Sequence, residues 1–412
     1  GADWLVLLSF ALVLPPIFVW RMPASASPDL PLFFLALTVV WAISLLEEEK
    51  GGAAARLLPV LLAAGAVGLK LNGLPLLVVA SVYYVRGGGF STRRLLTAGA
   101  LVALMLLPTI AHGVVTSGCP VFPSKLLCVE APWSVGEAEA ERLTRVIRDW
   151  SRWNGTGLHW KNDWSWLGPW ATKGFTSKNL FVTPLCLLTA CAGAFVRAKT
   201  RLRAQGTLVL LAGCAGLLLY FVLRGGEVLM VSVTAAAVVA VLTRRGGQFA
   251  GRAWILAAGL AGMALTLFAA PAFRFGLGYT AVLFGALLVP AVVRLAGEAG
   301  AVGVRRVTLA ALLTACGLIF FTMTLALEAG ARAGEGVEGR FRRLLLPPAL
   351  PEAAPVAREV NGLRYFVPSF GELCWATELP CAQTELPRDV TLRDPERGLR
   401  GGFVHTGQTP NR

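Results

Sequence analysis

A chain of 412 residues that is 55% hydrophobic and only 15% charged carries more apolar sequence than one soluble core of that length needs, and a polytopic helical membrane protein is the class that uses it. The net charge of +14 invites a nucleic-acid reading, but 13 of the Arg and Lys residues fall in four short loops between apolar segments, at 86–94, 197–203, 244–252 and 294–306. With no basic domain outside those loops, nucleic acid is set aside as a partner.

In chain order, ten apolar segments are expected to cross a membrane: about 3–20, 31–46, 56–70, 73–85, 95–112, 178–196, 207–223, 228–243, 253–270 and 276–294, with an eleventh near 307–328. The stretch 56–85 divides into two short helices, because Gly73 and Pro75 end a helix and Lys70 needs a water-filled or interfacial position. The expected organisation is an N-terminal transmembrane bundle over 1–112, a long loop over 113–177, a second bundle over 178–328 and a tail domain over 329–412.

The long loop has structure of its own. Ser134 and Glu137 have capping-box spacing and predict a helix start there. Leu143, Val146, Ile147 and Trp150 then recur at helical spacing, with Arg142, Arg145, Arg148 and Arg152 on other faces. Such a helix suits the membrane interface or packs on its own domain. Seven of the 12 tryptophans lie between Trp133 and Trp170, which places this loop in the headgroup zone. The tail is too polar to span and predicts short strands.

Basic loops stay cytoplasmic, so the alternate loops face outward. Four cysteines fall on that outward side: Cys119 and Cys128 in the long loop, Cys374 and Cys381 in the tail. They predict disulfides in an oxidising compartment; local pairs are the simplest, and three connectivities remain open. A metal centre is not expected, because no ligand-like histidine lies near either pair and neither has CxxC spacing. Cys186, Cys191, Cys214 and Cys316 sit inside apolar runs as packing residues.

No P-loop, dinucleotide fingerprint, zincin motif or Ser-His-Asp set is present, and the histidines are His112, His159 and His405 alone. Any chemistry must use carboxylates, Arg and Lys on the outer face. His112 reads as a residue at a helix C-terminus and Asp163 as a structural acid.

Several stretches carry a family resemblance: Ser27-Pro28-Asp29-Leu30-Pro31, Gly68-Leu69-Lys70-Leu71-Asn72, Ser117-Gly118-Cys119-Pro120-Val121-Phe122-Pro123-Ser124, Ala270-Pro271-Ala272-Phe273-Arg274-Phe275, Cys374-Trp375-Ala376-Thr377-Glu378-Leu379-Pro380-Cys381 and Arg400-Gly401-Gly402-Phe403. In this order, on the outward side, they resemble bacterial GT-C-type membrane glycosyltransferases. The resemblance implies an all-α polytopic fold in the bacterial inner membrane, with the long loop and the C-terminal tail in the periplasm. It implies sugar transfer from a polyprenyl-phosphate donor at the periplasmic face. Lys70 and Arg274, at outward helix ends, are then expected to pair with the lipid phosphate.

An inverting transfer needs one carboxylate as general base. The family carries it in the first outward loop, after the first transmembrane helix, and no such loop is present here. The catalytic residue is left unassigned: the Asp29 loop resembles a later outward loop, and Asp29 is a candidate site residue against a plain helix N-cap role. The chain opens Gly-Ala-Asp-Trp without Met, so its native start is expected upstream. The sequence identifies no cofactor; many GT-C enzymes use a divalent metal, but no ligand cluster is visible. The alternative expectation is a non-catalytic accessory subunit of a larger membrane complex, with membrane lipids and other subunits as partners. A transporter ranks last, since the apolar runs hold almost no charge.

Overall fold

A computed structural model of the chain describes residues 2–6, 9, 27–88, 91–153, 164–170, 233–234, 237–238, 251–272, 274–290, 355–369, 374 and 377–405. Most of these are helical. The expected segments at 178–196, 207–223 and 307–328, and Asp163, lie outside the described residues. Two compact units are present: Gly1–Leu106 with Val146–Gly336, and Leu107–Arg145 with Val337–Arg412.

The first unit is helical. Helix α1 (Asp29–Glu48), α2 (Leu57–Leu69) and α3 (Leu74–Gly88) run back and forth, joined by a single 3-10 turn over Leu71–Gly73 between the last two. The sequence puts the break there, and the geometry explains why it holds. Pro75 sits in the first turn of α3, where no amide donor is needed. Gly73 packs its backbone directly on α2: a Cβ there would lie 2.6 Å from the Ala66 carbonyl carbon and 2.7 Å from the Val67 nitrogen. Any other residue would push the turn away from the helix.

Helix α4 (Thr92–Ser117) and helix α6 (Arg252–Ala269) are, with α1, long and apolar enough to cross a membrane. Helix α7 (Arg274–Pro290) is a shorter apolar helix. Helix α6 packs on α1 and α3 and meets α7 through glycines. A Cβ on Gly262 would fall 2.1 Å from the Tyr279 ring, and one on Gly259 would fall 2.5 Å from Leu283. Gly278 of α7 similarly faces Phe33 and Ala36 of α1. Small residues let apolar helices approach closely where no hydrophobic force separates a helix from its surroundings. Helix α4 differs: only 11% of its apolar window is buried, and Leu96, Leu104 and Val115 are bare.

The two ends of this bundle have different chemistry. At the Glu48 end, Arg56 pairs with Glu47 at 3.0 Å and lies over Tyr83, Arg94 lies over Tyr84, and Arg86 lies over Trp254. Arginines of the basic loop 86–94 therefore gather with Arg56 at one end, beside Trp254 in the first turn of α6. The opposite end gathers Asp29, Lys70–Asn72 and the α6–α7 connection.

Helix α5 (Glu137–Arg152) forms where the long loop predicts one. The predicted cap does not: the Ser134 hydroxyl donates to the Ala131 carbonyl at 3.0 Å and accepts from the Ala131 amide at 3.3 Å, closing a turn before the helix. His112 is exposed and lies inside α4, so it is not a helix terminus.

The second unit holds the loop after α4 and the tail. Cys119 and Cys128 are joined, as are Cys374 and Cys381, so the local pairs form. Strands β1 (Pro355–Val360) and β2 (Leu363–Pro368) pair antiparallel through an Asn361-Gly362 turn, and β3 (Val390–Leu392) pairs with β4 (Phe403–His405). Both turn residues have positive φ, which Asn-Gly tolerates best. The Asn361 side chain then donates to the carbonyls of Arg388 and Val390, tying the two sheets together. Arg393 stacks over Trp133 at 5.0 Å, so tail and loop share one unit.

Two stability tests follow from this packing. Gly262→Val drives a side chain into the Tyr279 ring and is expected to cost about 1–3 kcal/mol by overpacking. Gly99→Ala, where a Cβ meets nothing within 4 Å, is expected to be neutral or slightly stabilising. Thermal unfolding in detergent separates them. Cys119→Ser with Cys128→Ser opens a short loop and is expected to cost about 2–3 kcal/mol by the chain-entropy relation, read in the same assay.

Candidate functional site

The site is built where two helix breaks meet. One is the turn between α2 and α3. The other is the Ala270–Phe275 connection between α6 and α7, where the chain leaves the helix at Ala270 and re-enters at Arg274. Each break frees backbone polar groups that need partners. The Asn72 side chain donates to the Phe275 carbonyl at 2.5 Å, and the Tyr279 hydroxyl donates to the Asn72 carbonyl. This reciprocal clasp fixes one break against the other.

The clasp sets two cations around one aromatic ring. The Lys70 ammonium lies 4.0 Å from the centre of the Phe275 ring, and the Arg274 guanidinium lies 4.7 Å from the same centre. Arg274 is also 4.7 Å from the Trp150 ring of α5, so its planar group is held between two aromatic faces. Among the described residues no carboxylate pairs with Arg274, and its side chain is exposed.

Lys70 has a partner. Its ammonium donates to Asp29, whose side chain is 3% exposed and also accepts from the Ser27 hydroxyl at 2.7 Å. Asp29 is the first residue of α1 and Pro28 holds the cap position, so the N-cap role is corrected to a buried ion pair across two helix ends. Burial pushes the Lys70 ammonium below its ordinary range; the bond and charge of Asp29 oppose this, and the charge of Arg274 adds to it.

Next to this cluster, Arg148 pairs with the buried Asp149 at 3.6 Å. Arg152 donates to the Phe268 carbonyl at 2.7 Å and stacks 4.8 Å over Trp166. Trp170 donates through its indole N–H to the Pro271 carbonyl at 2.8 Å. The tryptophan-rich loop thus braces the α6–α7 break from outside.

The structure therefore brings Asp29, Lys70 and Arg274 together. The four cysteines form disulfides in the other unit and take no part in this cluster. The sequence reading missed Tyr279 and the bracing role of Trp150 and Trp170. A phenol one turn beyond Phe275 in an otherwise apolar helix was the signal for Tyr279. Among the described residues, no three His, Cys, Asp or Glu side chains gather to hold a metal. What the arrangement offers is a fixed pair of cations, one exposed, beside a buried carboxylate.

Removing one half of the buried pair tests this reading. Lys70→Met strands Asp29 and is expected to cost about 3–5 kcal/mol. Combining it with Asp29→Asn is expected to recover most of that loss in thermal unfolding. Asn72→Ala removes the side-chain bond that ties the turn to α7 and is expected to cost about 0.5–1.5 kcal/mol in the same assay.

No curated protein and no solved structure matches the chain. One family model does, over residues 2–281, a span that takes in Asp29, Lys70, Asn72, Arg274 and Tyr279. The chain belongs to the family described as a domain of unknown function, DUF8201.

Proposed function

We propose that this chain is a polytopic membrane protein that binds a phosphate-bearing polyprenyl lipid at its Asp29–Lys70–Arg274 end. We further propose that it transfers the lipid-linked sugar in the manner of the GT-C enzymes it resembles. The observation that carries the reading is the exposed Arg274, held between Trp150 and Phe275 beside Lys70 without a carboxylate of its own among the described residues. A phosphate monoester or diester supplies the anion that such a pair lacks.

Three apolar helices of spanning length, and the bare flank of α4, support a membrane location. The gathering of Arg56, Arg86 and Arg94 at the far end supports placing that end in the cytoplasm. The cluster then lies on the periplasmic side of a bacterial inner membrane.

In this reading the lipid phosphate competes with Asp29 for Lys70. Once Lys70 has turned to the phosphate, Asp29 is free to take a proton. The acceptor hydroxyl oxygen bonds to the anomeric carbon as the bond from that carbon to the phosphate oxygen breaks. Polyprenyl phosphate leaves with the electron pair, and the hydroxyl proton goes to Asp29. No metal enters this scheme.

A second reading has its own support: Asp29 is buried and already paired with Lys70, which fits a scaffolding role in a non-catalytic subunit. Two assays on the full chain in nanodiscs separate them. Binding of undecaprenyl phosphate is expected to weaken roughly tenfold or more in Arg274→Ala, the loss of a charge-assisted contact. Sugar release from synthetic polyprenyl-phosphate sugars is expected to fall by about 10²-fold or more in Asp29→Asn, with lipid binding retained. Binding without any transfer by the wild-type chain supports the accessory role; absence of binding overturns both parts of the proposal.

A further inference from the structure

The end of α5 and the segment beside it carry an exposed apolar face. Ile147 and Trp150 on α5, Trp164 and Leu167 in the next described segment, and Phe268 on the last turn of α6 all lie bare. Trp164 is 65% exposed and Phe268 63%, although their rings meet edge to face at 6.2 Å. Aromatic side chains that pack on each other and still present most of their surface form a patch of the kind that marks an interaction site.

The place of the patch says what covers it. Phe268 ends a helix of membrane-spanning length, so the patch lies at the level where that helix leaves the apolar layer. Tryptophan and phenylalanine with arginine at that level match a headgroup zone, where ring bodies sit among acyl chains and cations meet phosphates. The charge agrees. Charge is polarised along α5: Glu137, Glu139 and Glu141 lie in its first half, where Glu139 pairs with Arg142 and Glu141 with Arg145, and beyond Arg145 the helix holds Arg148, Arg152 and one carboxylate, Asp149. That carboxylate is buried against Arg148. Arg152 is pinned over Trp166 and Arg274 over Trp150, so cations rim the apolar face.

We infer that this face is seated in the headgroup layer of a phospholipid leaflet, with the rings at acyl-chain level and the arginines among the phosphates. Helix α5 then lies along the membrane surface and clamps the α6–α7 break from the lipid side. The inference is independent of what binds at Lys70 and Arg274.

The test uses the full chain in vesicles of phosphatidylcholine brominated either close to the headgroup or near the chain ends. Trp150→Phe with Trp164→Phe keeps the aromatic bulk and removes two emitters. The difference in emission between wild type and this variant is expected to be strongly quenched by the headgroup-proximal bromines and weakly by the distal ones. A gain-of-signal variant, Leu167→Trp, is expected to add emission quenched in the same order. Added and lost emission that bromine leaves unquenched overturns the inference. So does efficient disulfide linkage of two chains through Ile147→Cys, which places a second copy on this face. Loss of undecaprenyl phosphate binding with quenching intact would defeat the proposed function and leave this inference standing.

Discussion

The structure of the helical unit depends on one constraint: backbone groups released by a broken helix in apolar surroundings must be satisfied by the protein itself. Two breaks occur at the same level, and each would be expensive alone. The Asn72 amide and the Tyr279 hydroxyl let each break serve the other's carbonyl. Everything polar at that end follows from this exchange. It is why Lys70 and Arg274 share the Phe275 ring, and why Asp29 is close enough to pair with Lys70 at the start of α1.

Glycine governs the close approaches that make the exchange feasible. Gly73 brings the first break flat against α2, and Gly262 lets the Tyr279 ring lie against α6. These two contacts set the depth of the turn and the position of the phenol. The apolar packing holds the polar partners in place, and the Phe275 ring lies beneath both cations.

Part of this was legible in the sequence. Lys70-Leu71-Asn72-Gly73-Leu74-Pro75 carries its own instruction, because a helix-breaking Gly and Pro flank polar residues in an apolar run. The start of α5 was legible too, though by a device the chain does not use: Ser134 turns back to Ala131 instead of capping. The Asn361-Gly362 hairpin turn was an available signal that periodicity alone passes over. What local pattern does not encode is pairing at a distance. Asp29 looks like an N-cap because its sequence neighbours are a Pro and an apolar run. Its actual partner is 41 residues away, and that choice depends on how three helix ends converge. Trp150 reads as part of an apolar stripe until Arg274 is seen against it.

The clasp also carries a statement about time. Asn72 is bonded to groups 203 and 207 positions further along the chain. A growing polypeptide that has delivered α1, α2 and α3 to their places still has an open turn at Asn72, with its carbonyl unserved. The cationic cluster comes into existence only when α7 arrives, so the early helices are a waiting receptor for the late one.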